Sequence, residues 1–350
     1  MPLNESMVYP LVTIVIPVNN ESWMILKKLE GTFALDYPSL FEVIVIDDGD
    51  DSTCEMAREF AKRNNLQSRL KLVHLEKRMG KAHALNVALS MSLGEVFVST
   101  DVNASVDKGS LIEIVNALMF DDRIACVSGA RTVPEPRTFA EKGEALYWAI
   151  DTFLRRKQSE YSNIRTSIGE LSAYRTDVVR GVGGFPEKAV SEDFEMTILL
   201  VAQGYKVRLC PEATVSEPGP ATVRDLYERK ARTTFGLLNG LYNNVSLIRQ
   251  LDFRSAIVIV LSIILPCLVV LSFVPVVFLV LMLKRDIVIV SMCGAVAIAL
   301  VIALSTRSLK SVPVFCIYLF MIYFAVLGGI YRFLFRGQSF PWKRLESTRR

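Results

Sequence analysis

Histidine is nearly absent: His74 and His83 are the two in 350 residues. A histidine-held metal centre or a Ser-His-Asp triad therefore lacks members, and any metal must be held mainly by oxygen. The six cysteines, Cys54, Cys126, Cys210, Cys267, Cys293 and Cys316, are widely spaced and form no C-x-x-C pair. This excludes a zinc module and implies free thiols in a reducing compartment. Neither G-x-x-x-x-G-K-[ST] nor G-x-G-x-x-G occurs, which removes the two commonest phosphate cradles. The opening MPLNESMVYP has neither a basic start nor an apolar run, so no signal peptide or leading anchor is expected there.

Acidic charge is scarce in one part only. Residues 255–350 carry 2 acidic and 10 basic side chains, whereas residues 1–254 carry 34 acidic and 30 basic. The overall +4, 51% hydrophobic content and mean hydropathy of +0.34 describe neither part, but they exclude a disordered tail protein, a collagen-like chain and a wholly soluble enzyme of ordinary composition. Three stretches hold no charged residue: Ser255–Leu283, Ile287–Thr306 and Ser311–Tyr331. Each reaches the roughly 20 residues that span a bilayer core. Lys284, Arg285, Arg307, Lys310, Arg332, Arg336, Lys343, Arg344, Arg349 and Arg350 lie between and after them, suiting loops and lipid headgroups. The positive charge is thus read as facing a bilayer, not nucleic acid. Three spans are expected over 255–335, or four if the first stretch, which contains Pro266 and Pro275, turns back as a hairpin.

Ahead of the apolar stretches, β-rich runs alternate with helical patterns. The runs are 11–16, 41–47, 69–75, 95–100 and 124–130; the helices are Glu21–Phe33, Ser52–Asn64, Lys81–Ser92 and Lys108–Phe120, with Asn20, Ser52 and Asp107 as expected caps. Nearly continuous apolar strands with helical crossovers predict an α/β fold with a mostly parallel, Rossmann-like sheet covered on both faces. Such sheets bind ligands outside the carboxyl ends of their strands. There the sequence sets Pro17-Val-Asn19-Asn-Glu21, Asp47-Asp48 and Asp101-Val-Asn103. Singly, each acidic residue is compatible with a cap or turn; several on one edge point to a site. Gly80-Lys81 opens a helix, and taken alone reads as a solvated turn. Further on stand Gly169-Glu170, then Glu192-Asp193 before the helical stretch Phe194–Gln203, a short strand at Lys206–Cys210, and the helix Thr222–Asn244 with Arg229, Lys230 and Arg232. The acidic pair alone would suit a helix dipole, and the basic run a solvated face.

Taken in order, VTIVIPVNNE, VIVIDDGDDST, GKAHALNVAL, STDVNA, GELSAYR, GGF, SED and SEPGPATVRDLYERKARTTFG resemble the membrane-bound inverting glycosyltransferases of family 2. That group has the GT-A fold and includes cellulose, hyaluronan and poly-N-acetylglucosamine synthases and, more distantly, dolichol-phosphate mannose synthase. The resemblance covers about residues 10–240 and, together with the apolar stretches, gives this expected organisation: a tail at 1–10; a GT-A domain at 11–240, nucleotide-sugar-binding over 11–130 and acceptor-binding and catalytic over 131–240; an interfacial linker at 241–254; a transmembrane region at 255–335; a basic tail at 336–350. It further implies a nucleotide-sugar donor, a UDP-sugar, contacted by Pro17, Asn19, Glu21, Asp47, Asp48, Gly80, Lys81 and Asp101. Asp193, with Glu192 beside it, corresponds to the general base that frees an acceptor hydroxyl. Asp101 and Asn103 correspond to the Asp-x-Asp element that holds Mg2+ or Mn2+ on the donor diphosphate, with an amide in place of the second carboxylate. Arg229, Lys230 and Arg232 correspond to the diphosphate-side cations, and Gly169, Glu170 and Thr233 to the acceptor side.

The processive synthases carry Gln-x-x-Arg-Trp where this chain has Arg229-Lys-Ala-Arg-Thr233. Arg232 is kept; the aromatic platform is not, so transfer of one or a few sugars stands beside polymer synthesis. The implied acceptor is a hydroxyl of a lipid-linked saccharide or polysaccharide. Two alternatives are a polyprenyl-phosphate acceptor, whose oxygen needs no base, and a membrane-anchored binding protein without turnover. The catalytic domain of a multi-pass protein using nucleotide sugars is expected to face the cytoplasm.

Overall fold

The computed structural model describes residues 9–220, 222–282 and 311–335. In chain order its elements are β1 (Val12–Val18), α1 (Ser22–Phe33), β2 (Phe41–Asp47), α2 (Thr53–Arg63), β3 (Leu70–His74), α3 (Lys81–Met91), β4 (Val96–Ser99), β5 (Ser105–Val106), α4 (Ser110–Met119), β6 (Ile124–Thr132), α5 (Phe139–Tyr161), β7 (Ser172–Arg175), α6 (Thr176–Gly181), α7 (Glu192–Ala202), β8 (Lys206–Ser216), α8 (Val223–Asn243), α9 (Val245–Ile248), α10 (Phe253–Met282) and α11 (Ser311–Phe335). They divide into two compact units. The first takes the chain up to Thr132 with Asp151–Glu217 and Asn244–Val258; the second takes Val133–Ile150, Pro218–Asn243 and the described residues from Ile259 onward.

The first unit is built on one sheet in the order β3-β2-β1-β4-β7-β6-β8-β5. Its first four strands are parallel, as their continuous Val/Ile runs predict, and every residue of β2 is buried. The remainder is mixed: β7 runs antiparallel to both β4 and β6, β6 and β8 are parallel, and β5 is antiparallel to β8. A four-residue strand such as SAYR carries no apolar run or alternation to announce it. It is nonetheless the piece that joins the two parts of the sheet.

Ser52 occupies the N-cap of α2 without a side-chain capping bond, and the other two expected caps are drawn into tertiary bonds. Asn20, at φ +54, turns its Oδ1 to the backbone N–H groups of Asp50 at 2.6 Å and Asp51 at 3.2 Å. Asp107 accepts from the Thr214 hydroxyl, and the Ser52 hydroxyl faces Met56 Sδ at 3.8 Å. Asp51 serves two helix starts, taking Ser22 N–H at 3.2 Å and Thr53 N–H at 2.9 Å. The loops after β1 and β2 are thus fastened to each other. Gly49 allows this closeness, because a Cβ there would lie 2.3 Å from Asn20 Oδ1 and 2.4 Å from Asn20 N. Gly49→Ala should cost about 1–3 kcal/mol by overpacking, read as a lowered midpoint in chemical denaturation.

In the second unit Leu226 and Tyr318 are fully buried, packed against Leu146, Tyr147 and Ile150. Glu144 accepts from Lys230 Nζ at 3.2 Å, Trp148 Nε1 at 2.9 Å and the Tyr318 hydroxyl. A Cβ on Gly143 would strike the Tyr318 ring at 2.2 Å, so the helices meet there at glycine distance.

Two helical segments among the described residues are long and apolar enough to cross a membrane, Phe253–Ser272 and Tyr318–Phe335. The first belongs to α10, which runs without a break over 30 residues through Pro266 and Pro275. Over those residues it is one continuous helix, about 45 Å long at 1.5 Å per residue. The apolar stretch Ile287–Thr306 and the basic tail lie outside the described residues.

Candidate active site

The donor-side candidates gather where the first strands end. Asp48 is half-buried; it accepts Asn19 Nδ2 at 2.7 Å and the Gly80 N–H at 3.3 Å. Gly80 has φ +91, a left-handed conformation suited to glycine, and is followed at once by α3. The end of β2 is thereby bonded to the segment that presents Lys81. Asp47 points the other way: its side chain is fully buried, one oxygen accepts the Gly49 N–H at 3.0 Å, and burial pushes its carboxyl up. Glu21 accepts Trp23 Nε1 at 2.9 Å, and Pro17 lies inside β1 rather than after it.

Lys81 connects this side to the acidic candidates. Its Nζ lies 2.8 Å from Asp101 Oδ1 and 3.3 Å from Glu192 Oε1. Burial opposes its charge, but Asp101, Asp193 and Glu192 outweigh that and hold the ammonium well above the ordinary lysine value. Gly169 sits at the centre. A Cβ placed on it would lie 2.3 Å from Lys81 Nζ, 3.0 Å from Asp193 Oδ2 and 3.4 Å from Asp101 Oδ2. Asp101, Gly169, Lys81, Glu192 and Asp193, spread over four parts of the sequence, meet at one point.

Asp193 stands in the first turn of α7, where the helix dipole alone would favour its ionised form. Its carboxyl is instead pushed up to about 8, first by burial and then by Glu192, Asp101 and Glu170, against the opposing pull of Lys81. A carboxyl tuned in this way is a stronger base than a capping aspartate. Glu195, two residues on, is turned away and bonded to Asn244 Nδ2 at 2.9 Å.

Several supporting residues carry no motif. Lys28 is buried; its Nζ donates to Thr100 Oγ1 at 2.7 Å and to the Ala104 carbonyl at 2.6 Å, bracketing the turn that holds Asp101 and Asn103. Burial lowers its ammonium to about 7, with Asp101 opposing. Thr100 Oγ1 donates in turn to the Glu170 carbonyl at 2.8 Å, which locks the Gly169-Glu170 turn to the end of β4. The Glu170 carboxylate pairs with Arg131, whose side chain has 0% exposure. A lysine inside the Ile25-Leu29-Thr32 stripe of α1 was the available signal for Lys28.

Asn103 is half-buried and donates Nδ2 to Glu217 Oε1 at 2.7 Å. No group of three or more His, Cys, Asp or Glu side chains that could hold a metal occurs among the described residues. The remaining candidates stand on α8, in the second unit. Lys230 is buried, 3.1 Å from Glu144 Oε2 and 3.5 Å from the centre of the Tyr147 ring, while Thr233 is exposed and bonds the Arg229 carbonyl at 3.0 Å. Arg229 and Arg232 are half-buried on the same helix.

A mixed α/β sheet with polar residues gathered at strand ends has the layout of a ligand-binding α/β domain. The model of the glycosyl transferase family group 2 matches residues 96–331, more than half of the chain, and the chain belongs to that family. It is 27% identical over 235 residues to a probable glycosyltransferase, YdaM, of Bacillus subtilis, covering 65% of this chain and 55% of the relative. It is 24% identical over 227 residues to the poly-β-1,6-N-acetyl-D-glucosamine synthase of Staphylococcus epidermidis (64% and 54% covered). It is 25% identical over 232 residues to the β-monoglucosyldiacylglycerol synthase of a Nostoc species (65% and 49%). The chain spans about half the length of the curated relatives it matches. Among solved structures, the mannosyltransferase PcManGT from Pyrobaculum calidifontis, in complex with GDP-Man and Mn2+, superposes with a TM-score of 0.67 at 22% identity. That match covers 94% of this chain and 88% of the other, and the shared fold is GT-A.

Proposed function

We propose that this family 2 glycosyltransferase moves a sugar from a nucleoside-diphosphate donor, a UDP-sugar, to a hydroxyl of a lipid-linked saccharide or polysaccharide, inverting the anomeric carbon. The observation that carries the reading is the meeting of Asp193, Lys81 and Asp101 around Gly169, so closely that the position admits no side chain beside the basic carboxylate. Asp193 takes the proton of the acceptor hydroxyl as its oxygen attacks the anomeric carbon and the bond to the diphosphate breaks. Glu192 adds negative charge that keeps Asp193 basic. Lys81 steadies Asp101 and Glu192 and supplies positive charge on the donor side. Asp48, bonded to Asn19 and Gly80, is read as the contact to the nucleotide base, with Pro17, Glu21 and Asp47 lining or supporting that edge.

With Lys81 on Asp101 Oδ1 and Glu217 on Asn103 Nδ2, Asp101 Oδ2 and Asn103 Oδ1 are the oxygens that suit a hard cation, Mg2+ or Mn2+. Such ions are commonly held by one or two protein ligands together with substrate phosphates, so no larger acidic cage is required. When bound, the ion would offset charge on the departing diphosphate. Gly169 and Glu170 are read as the acceptor side. The roles of Arg229, Lys230, Arg232 and Thr233 rest on motif order; Lys230, being paired with Glu144, is the weakest of the four as a phosphate contact. Two helices long and apolar enough to cross a bilayer support attachment to a membrane; a multi-pass chain with its catalytic domain facing the cytoplasm, where nucleotide sugars are usually found, is part of the same proposal.

The test is a donor screen with purified full-length protein, following nucleotide release with and without acceptor lipid extract. UDP release that the extract stimulates, that falls at least about tenfold on chelation and that returns with Mn2+ is expected. Absence of release from every donor would favour a binding protein without turnover.

A further inference from the structure

Asn103 stands where the family pattern places a second carboxylate, yet a carboxylate lies against it. Glu217 Oε1 accepts Asn103 Nδ2 at 2.7 Å across 114 residues of sequence. Glu217 directly follows β8, and its backbone N–H is bonded to the Thr132 carbonyl at 3.1 Å. Its side chain is 6% exposed, and its second oxygen pairs with Arg131, the guanidinium that also pairs with Glu170. Arg131 comes from β6 and is itself completely buried, so the carboxylate is fixed from behind by a rigid strand. Two ionised carboxylates at hydrogen-bond distance repel strongly in such a site. An aspartate at position 103 would therefore clash electrostatically with Glu217. The amide removes the repulsion, spends its N–H on Glu217 and, being planar, has the orientation of its oxygen set by that bond.

We propose that Glu217, anchored by Arg131, is a positioning residue that aims the Asn103 carboxamide oxygen toward the cation site. The negative charge absent from position 103 has in effect moved to position 217, one layer behind. This rests on the reading of Asp101 and Asn103 as cation ligands. Outer partners of metal ligands typically change affinity by about 10–100-fold when altered.

The test is Mn2+ uptake by the full-length protein in the presence of UDP and, in parallel, GDP, read from the electron paramagnetic resonance of free Mn2+. Thermal melting is recorded for each variant. Glu217→Gln can donate to the Asn103 oxygen and reverse the amide, so Mn2+ affinity should fall about tenfold or more. Asn103→Asp should also weaken uptake, although it restores the acidic pattern. The double variant exchanges the two groups, so that the new amide donates to the new carboxylate. Its affinity should return to within about threefold of wild type, a strong departure from additivity. Unchanged affinity in Glu217→Gln, tighter binding in Asn103→Asp, or a double variant as weak as the product of the singles would overturn the positioning role. If Glu217→Gln does not fold, Asn103→Asp decides alone. A wild-type protein that takes up no Mn2+ with either nucleotide would overturn the cation reading itself, an outcome distinct from wild-type uptake with an indifferent Glu217→Gln.

Discussion

Asp193→Asn should remove sugar transfer, lowering kcat by about 10³-fold while donor binding persists, because a positioned base contributes roughly 10²–10⁴-fold and the amide cannot accept the proton. The same residue sets a pH limb. Its carboxyl must be ionised to act, and burial holds it up to about 8. Activity measured as kcat/KM, which reports the free enzyme, should therefore rise about tenfold per pH unit below that value and level off above it. Glu192→Gln removes a neighbouring charge that pushes Asp193 upward, so the limb should move toward lower pH. That displacement separates a tuned base from a carboxylate that merely caps α7. Full activity of Asp193→Asn would instead point to a polyprenyl-phosphate acceptor, whose oxygen is ionised already.

Gly169→Ala should be nearly as damaging, from a single methyl group. The added carbon would lie 2.3 Å from Lys81 Nζ, well inside contact distance, and 3.0 Å from Asp193 Oδ2, a few tenths of an ångström too close. The lysine end can swing aside, but only by giving up Asp101 at 2.8 Å and Glu192 at 3.3 Å. The turn cannot easily retreat, since the Glu170 carbonyl is held by Thr100. Displacement of reacting groups by about 1 Å can cost 10²-fold, so kcat/KM should fall by about that factor at a temperature where the variant is still folded. Steady-state kinetics beside a thermal melt checks this. A variant with wild-type kcat/KM would show that the acceptor and base do not meet beside this glycine.

The parallel part of the sheet was legible because its strands are uninterrupted apolar runs: Phe41–Asp47 begins and ends where the sequence reading has it. The β7 strand was not, being four residues of mixed polarity whose place depends on partners from β4 and β6. The caps failed for a related reason. Asn20 and Asp107 have the right chemistry for a helix start, but distant donors compete for the same oxygens. At the site, the sequence order isolates Asp101, Gly169 and Asp193 as separate motifs. Their convergence at contact distance is a property of the chain path and has no local trace. Lys28 and Arg131 were hidden in plain view: a lysine in a KKLE stretch and an arginine ending a strand both look solvent-facing until burial is known.

The cluster around Glu144 constrains how the chain can be made. Tyr318 lies 174 residues beyond the carboxylate it bonds. At about 5–20 residues per second, translation takes roughly 10–35 s to cover that interval. Throughout it, the Glu144 face of α5 lacks its tyrosine partner, and the second unit cannot close. Membrane insertion or a chaperone has that window in which to act, and a ribosome stalled before Tyr318 would hold a chain whose second unit is still open.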